Sequence, residues 1–383
     1  MKKKIFIIAG EKSGDLLGSK ILKNLDKDQY EIYGIGGELM EQQGLKSLFP
    51  MSELSLMGIF EILPKLFSIL KRIKQTVQKI LEIQPDILLT IDSPDFCFRV
   101  AKQVQKLDKS NKIKKVHFIA PSVWAYRKGR AKKIAKIYDL LLCILPFEPP
   151  YFEKYGLKTV FVGHPIFYKE STEYDFNNED IQYNNESNLI SVTLGSRVSE
   201  VKRFLPIINP IVENIAKQNQ NIICNYLATK NTYNILQASI NENKNVKIIV
   251  DDNEKKEIMK HSLLAIAKSG TNTLEFSAFK VPMVVFYKFN FLTNALLQII
   301  KTINHTKFAN LVNIVADKEI IPEYILFKCT QENIENNVKE LLNNKEERLK
   351  QLNESGKVLY KMGYKNDNLT VKNIIKEIEL LND

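Results

Sequence analysis

The sequence predicts an α/β protein made of two doubly wound halves. Three observations carry that prediction. Short, continuously apolar runs alternate with helical-period segments of roughly 10–20 residues, the pattern of parallel strands covered on both faces. The alternation falls into two series, separated by the polar, Asn- and acid-rich stretch Glu170–Asn188. The length of 383 residues suits two domains of about 100–200 residues each.

In the first series the strand candidates are 4–9, 30–35, 86–91, 115–120, 139–145 and 158–162. In the second they are 189–194, 221–227, 246–250, 263–267 and 282–287. The expected domains are therefore 1–168 and 189–350, followed by a helical tail over 351–383. Two such Rossmann-like domains face a cleft and bind ligands at the carboxyl ends of their strands.

Composition narrows the function. Basic residues number 55 against 44 acidic ones, a net charge of +11, but only seven of the 55 are Arg. A nucleic-acid reader leans on the bidentate Arg fork, so the excess of Lys points to compositional bias or to attraction for phosphates or an acidic membrane surface. The four cysteines form no CxxC pair and the four histidines no ligand cluster, so neither a disulfide scaffold nor a metal site is expected. The opening Met-Lys-Lys-Lys and its apolar run stop too early, at Gly10, to make a signal peptide. No stretch approaches the ~20 apolar residues of a spanning helix.

The strand ends supply the candidate chemistry. Gly10-Glu11-Lys12-Ser13-Gly14-Asp15 follows the first strand, where small residues let a substrate approach backbone N–H groups; Ser13 and Asp15 also fit helix caps. No GxGxxG or Walker lysine is present. Asp92 and Asp95 follow the strand 86–91, and Asp92, at the strand's very end, is the better general base, with Asp95 also readable as a cap. Trp124, the one tryptophan, is either a core plug or an apolar ligand wall, and a basic cluster runs from Arg127 to Lys133. His164 reads as structural. In the second half, Gly195-Ser196-Arg197 closes one strand, and Ser269-Gly270-Thr271 opens a helix with Glu275 one turn further on, a pattern that suits a nucleotide diphosphate and its ribose.

Residues 54–81 hold apolar positions at helical spacing, the mark of a core-facing helix. Phe60, Phe67 and Leu56 widen this stripe near its start, beside Leu63 and Leu66 and with Lys65, Lys71, Arg72 and Lys74 at its edge, so Phe60, Leu63, Leu66 and Phe67 also suit a membrane or acyl-chain contact.

Taken in order, these motifs resemble the lipid-A-disaccharide synthase family. The matching segments are Gly10-Glu11-x-Ser13-Gly14-Asp15, Met57-Gly58-Ile59-x-Glu61, Ile91-Asp92-x-Pro94-Asp95-Phe96 and Pro121-Ser122-Val123-Trp124-Ala125. They continue with Pro146-Phe147-Glu148, Gly163-His164, Gly195-Ser196-Arg197-x-x-Glu200-Val201, Ser269-Gly270-Thr271-x-Thr273-Leu274-Glu275 and Pro282-Met283-Val284-Val285. Three positions depart from the family pattern: Leu194, Val312 and Leu326.

The resemblance implies a GT-B glycosyltransferase, with the acceptor on the first domain, the nucleotide sugar on the second, and the tail packed back on the first. The implied reaction is inverting: 2,3-diacylglucosamine moves from its UDP donor to the 6-hydroxyl of 2,3-diacylglucosamine 1-phosphate, and UDP leaves. A UDP-sugar 2-epimerase on the same fold is the alternative. The implied site has Asp92 as base, Glu11, Ser13, Gly14, Asp15, Met57, Glu61, Asp95 and Trp124 near the acceptor, and Arg197, Ser269, Gly270, Thr271, Glu275 and Asn313 at the nucleotide. No metal or other cofactor is expected. The implied setting is cytoplasmic, in peripheral contact with the inner membrane, with a homodimer as candidate assembly and no nucleic-acid partner.

Overall fold

The computed structural model describes residues 2–54, 62–108, 110, 112–125, 129–168, 183–241, 243–288, 307–366 and 369–381, with the backbone alone for 62–66. The chain divides into two compact units, Met1–Tyr174 with Asn366–Asp383, and Asp175–Lys365.

The first unit is a six-stranded parallel sheet. Its strands are β1 (Lys3–Ala9), β2 (Tyr30–Ile35), β3 (Ile87–Ile91), β4 (Lys114–Phe118), β5 (Leu140–Cys143) and β6 (Lys158–Phe161), in spatial order β2-β1-β3-β4-β5-β6. Helices α1 (Lys12–Asn24), α2 (Glu38–Gln42), α3 (Ile62–Ile83), α4 (Pro94–Leu107), α5 (Arg130–Ala135) and α6 (Pro150–Glu153) connect them. The central strands are apolar along their whole length because both faces are covered: Ile5–Ala9 and Ile87–Leu89 are buried, one face packing with α1 and the other with α3 and α4. The strand order reverses between β1 and β3, which places the crevice of the sheet at the ends of those two strands.

The second unit repeats the plan in a different order. Its strands are β7 (Leu189–Thr193), β8 (Ile223–Leu227), β9 (Val246–Ile249), β10 (Leu264–Lys268), β11 (Met283–Tyr287) and β12 (Glu323–Ile325), arranged β12-β11-β10-β7-β8-β9, all parallel. The helices are α7 (Val198–Gln218), α8 (Lys230–Ser239), α9 (Asp252–Lys260) and α10 (Asn272–Ala278), then Leu311–Ala316, Gln331–Asn343 and Lys345–Lys361. Here the reversal lies between β7 and β10.

Eleven of the twelve strands fall on the apolar runs read from the sequence. β12 was missed because Glu323-Tyr324-Ile325 is too short to form such a run. Helix Lys345–Lys361 stays in the second unit, where Gln351 accepts from Met283 N (2.6 Å) and donates to Met283 O (3.1 Å). The last helix, Val371–Glu379, buries Val371, Ile374 and Ile378 in the core beneath α1 in the first unit. Of the polar stretch Glu170–Asn188, residues 170–182 lie outside the described residues, and Tyr183–Asn188 run along the second unit, where Tyr183 Oη donates to Leu263 O.

Candidate functional site

Asp92 stands at the end of β3, beside the end of β1. It and Ser93 both adopt left-handed backbone, with φ of +52° and +44°, a conformation that costs a residue with a side chain about 1–3 kcal/mol. The turn is held by Asp92 N donating to Phe118 O (3.0 Å) and Cys97 N donating to Ser93 O (3.1 Å), as α4 begins. Ser93 fits against Gly10, where an added β-carbon would lie 2.5 Å from Ser93 Oγ. Across the crevice, Ser13 Oγ donates to Asp92 Oδ2 at 3.5 Å. Gly14 lets α1 pass close to Ala9 and Ile91 O. The two loops that sequence reading singled out, after the first and third strands, thus meet through Ser13 and Asp92.

Other predicted residues are placed differently. Asp15 is 5% exposed, and its carboxylate accepts from Gly37 N (2.8 Å), Leu39 N (3.1 Å) and Met40 N (3.1 Å). It does not cap α1: it satisfies free N–H groups at the start of α2 and ties that turn to α1. Glu11 occupies the cap position of α1 and is exposed. Asp95 is exposed in the first turn of α4 and pairs with Arg130 (2.7 Å), whose guanidinium lies over Phe98. Met57, Phe60 and Glu61 lie outside the described residues, as do the side chains of Leu63 and Leu66.

Trp124 follows β4 and is half-buried against Phe147, edge to face at 5.4 Å. Its Nε1 donates to Glu148 Oε1 (3.2 Å), while Leu145 N donates to Glu148 Oε2 (3.1 Å). Burial pushes the Glu148 carboxyl up to about 7, against the pull of these two hydrogen bonds. In the sequence Glu148 stands out only as part of the segment Pro146-Phe147-Glu148, because nothing local marks its burial. His164, buried, has its pKa lowered by burial to about 4 and accepts from Ile166 N, a structural placement.

On α3, Ile73, Val77 and Ile80 are buried in the core, whereas Phe67 (78% exposed) and Leu70 (43%) lie outside it beside exposed Lys71 and Lys74. The helix carries a core face and a separate apolar, basic-edged surface.

In the second unit, the loops after β7 and β10 flank the reversal point. Arg197 is exposed just before α7. Ser269 Oγ donates to Ala309 O (3.0 Å), Gly270 and Thr271 are exposed, and Thr273 Oγ1 donates to Gly270 O. Asn272 Nδ2 donates to Thr193 Oγ1 (2.7 Å), which joins the two loops. Glu275 is half-buried in the first turn of α10. Lys268, which no sequence motif marks, precedes Ser269 and pairs with Glu200 at 3.1 Å.

Asn313, which the resemblance puts at the nucleotide, lies just inside the helix Leu311–Ala316. It is fully buried, its Nδ2 donating to Ile321 O and Glu323 Oε1 (both 2.7 Å) and its Oδ1 accepting from Ile320 N and Ile321 N. All four amide valences are used, so the Asn313 side chain braces the approach to β12. Glu323 also accepts from Ala309 N and Asn310 N, so this network reaches Ser269 through Ala309. Leu194 and Val312 are buried core residues, and Leu326 has a left-handed φ of +56°. Among the described residues no group of three or more His, Cys, Asp or Glu is arranged to hold a metal ion.

Known proteins share this architecture. Staphylococcus aureus MnaA, in a co-structure with UDP, matches with a TM-score of 0.65 at 16% identity, covering 100% of this chain and 98% of that one. The UDP-GlcNAc 2-epimerase of Neisseria meningitidis, bound to UDP-GlcNAc, gives 0.63 at 12%, covering all of both chains. Acinetobacter baumannii MurG gives 0.60 at 13%, covering 99% and 100%. These likenesses establish the two-unit GT-B fold class. Sequence relatives are nearer: a lipid-A-disaccharide synthase of Rickettsia bellii is 42% identical over 373 residues, 95% of each chain. That of Rickettsia prowazekii is 41% identical over 371 residues, 95% and 96% of the two chains. The family model for lipid-A-disaccharide synthetase matches residues 5–377. With a match from the first strand to the last helix, the chain belongs to the lipid-A-disaccharide synthase family.

Proposed function

We propose that the protein is an inverting glycosyltransferase that moves 2,3-diacylglucosamine from UDP-2,3-diacylglucosamine to the 6-hydroxyl of 2,3-diacylglucosamine 1-phosphate. The product is the β-1,6-linked tetraacyl disaccharide 1-phosphate, and UDP leaves. The observation that carries the reading is family membership over nearly the whole chain, joined to a strained turn that presents Asp92 at the crevice of the first sheet.

Asp92 takes the proton from the acceptor's 6-hydroxyl as that oxygen attacks the anomeric carbon, and Ser13 orients the carboxylate. One in-line displacement inverts the anomeric centre. The bond to the diphosphate breaks as the new one forms, and negative charge grows on the leaving UDP. Arg197, the N–H groups of the Ser269-Gly270-Thr271 loop and the N-terminus of α10 stabilise that charge. Glu275 accepts from the ribose hydroxyls. Trp124 forms an apolar wall beside the acceptor, and Asp95 with Arg130 lines the same strand ends. Phe67 and Leu70, with Lys71 and Lys74, rest on an anionic bilayer surface, giving the enzyme a peripheral membrane position from which to reach acylated substrates. Among the described residues no helix is long and apolar enough to cross a membrane.

UDP release by the purified protein, with UDP-2,3-diacylglucosamine and with or without the acylated glucosamine 1-phosphate, tests the reading. Acceptor-dependent release with a β-1,6 disaccharide product is expected. Acceptor-independent epimerisation of a UDP-sugar would favour the 2-epimerase, whose support is the shared fold alone.

A further inference from the structure

Lys268 ends β10, immediately before Ser269-Gly270-Thr271. Its side chain is 18% exposed, its Nζ lies 3.1 Å from Glu200 Oε1, and it sits above the Tyr287 ring at 5.5 Å. The same Nζ is 4.0 Å from the point a β-carbon on Gly270 would occupy, so the ammonium stands beside the exposed small residues of this loop. Glu200, in the first turn of α7, is 14% exposed, and its Oε2 packs against Gly195, whose φ of +107° and missing side chain leave the space. The Lys268–Glu200 pair therefore joins the two loops that flank the reversal point of the sheet. Arg197 and Arg203 are near enough to act electrostatically on the Tyr287 hydroxyl, so further cations gather in this neighbourhood.

We propose that Lys268 is a phosphate-recognition residue of the nucleotide site, held in place by Glu200 until a diphosphate competes for its ammonium. The proposal rests on the UDP-sugar reading above and adds to it a residue that the family motifs do not include. Leaving a largely buried ammonium unpaired is costly, and the Glu200 carboxylate meets that need. One carboxylate oxygen engages one of the three ammonium donors, and the others remain able to meet phosphate oxygens at Gly270. Lysine serves here as a compact point charge, complementing the N–H groups of the loop.

Calorimetric titration of the full chain with UDP, UMP and uridine separates this role from that of a simple tie between loops. Lys268→Ala is expected to weaken UDP binding by roughly 10-fold or more while uridine affinity moves by less than about 2-fold. Lys268→Arg is expected to retain most of the UDP affinity. Glu200→Gln is expected to keep or tighten UDP binding, because it releases the ammonium from its competitor. If the unaltered chain binds UDP and Lys268→Ala binds it equally well, the lysine's role is overturned and the nucleotide reading stands. Parallel losses in Lys268→Ala and Glu200→Gln, with uridine falling in step, also overturn it and leave a loop tie. A complete lack of UDP binding by the unaltered chain overturns the nucleotide reading itself, and the lysine's role with it. Lys268→Gln, which keeps most of the stem and a donor for Glu200, provides the same comparison if Lys268→Ala does not fold.

Discussion

Single residues in this protein divide by whether their polar groups are already engaged. Among the described residues Asp92 has one long side-chain hydrogen bond, from Ser13, and a backbone turn that presents its carboxylate at the crevice. Asp92→Asn should therefore lower turnover by about 10²–10⁴ and leave UDP affinity unchanged, as single-turnover and binding measurements would report. Glu148 is different: it is buried, supports Trp124 and titrates near 7. A carboxyl that holds its proton more tightly in the fold than in the unfolded chain contributes stability fully below its ordinary pKa of 4.5, and that contribution is lost as pH rises toward 7. His117 and His164, lowered by burial to about 3 and about 4, have the opposite slope and lose stability as pH falls below 6.5. Comparing melting temperatures of the unaltered protein and Glu148→Gln isolates the carboxyl from the two histidines. The advantage of the unaltered protein should shrink between pH 5 and 7, and a pH-independent difference would remove Glu148 from this role.

At the scale of elements, α3 shows how one helix serves two surfaces. Its period-3.6 stripe carries Ile73, Val77 and Ile80 into the core, while Phe67 and Leu70 point elsewhere. Ile80→Ala should cost about 2–5 kcal/mol of stability in denaturant unfolding. Phe67→Ser with Leu70→Ser should change stability by less than about 1 kcal/mol and reduce sedimentation with anionic vesicles, since exposed positions add little to the fold. Unchanged vesicle binding would count against the membrane surface. The short helix α2 depends instead on a residue from another element. Two of its N–H groups, Leu39 and Met40, and that of Gly37 at its cap converge on Asp15, so Asp15→Ala should destabilise the first unit by about 1–3 kcal/mol, seen as faster hydrogen exchange over residues 37–42.

At the scale of the whole molecule, the first unit is closed by residues 366–383, far in sequence from its strands. Val371, Ile374 and Ile378 close the core beneath α1, Leu369 packs against Gly163, and Tyr30 Oη donates to Glu379 (2.9 Å). Removing residues 366–383 should destabilise the first unit by several kcal/mol and make 1–168 preferentially sensitive to protease, while 175–365 keeps its resistance. The sequence by itself determined the two α/β halves, eleven of the twelve strands and the motif loops. An apolar run long enough to be buried on both faces is a local signal, and small residues at a strand end are another. Only the tertiary structure decided which polar side chains are available for a ligand. The carboxylate of Asp15 and the amide of Asn313 look as available in sequence as that of Asp92. Asp15 is consumed by backbone groups 22–25 residues away, Asn313 by backbone groups 7–8 residues away and by the Glu323 carboxylate, and Lys268 meets Glu200 only because β7 and β10 lie side by side. Hydrogen-bond and charge allotment is set by the packing of distant segments, because a buried polar group takes whatever partner the fold brings to it.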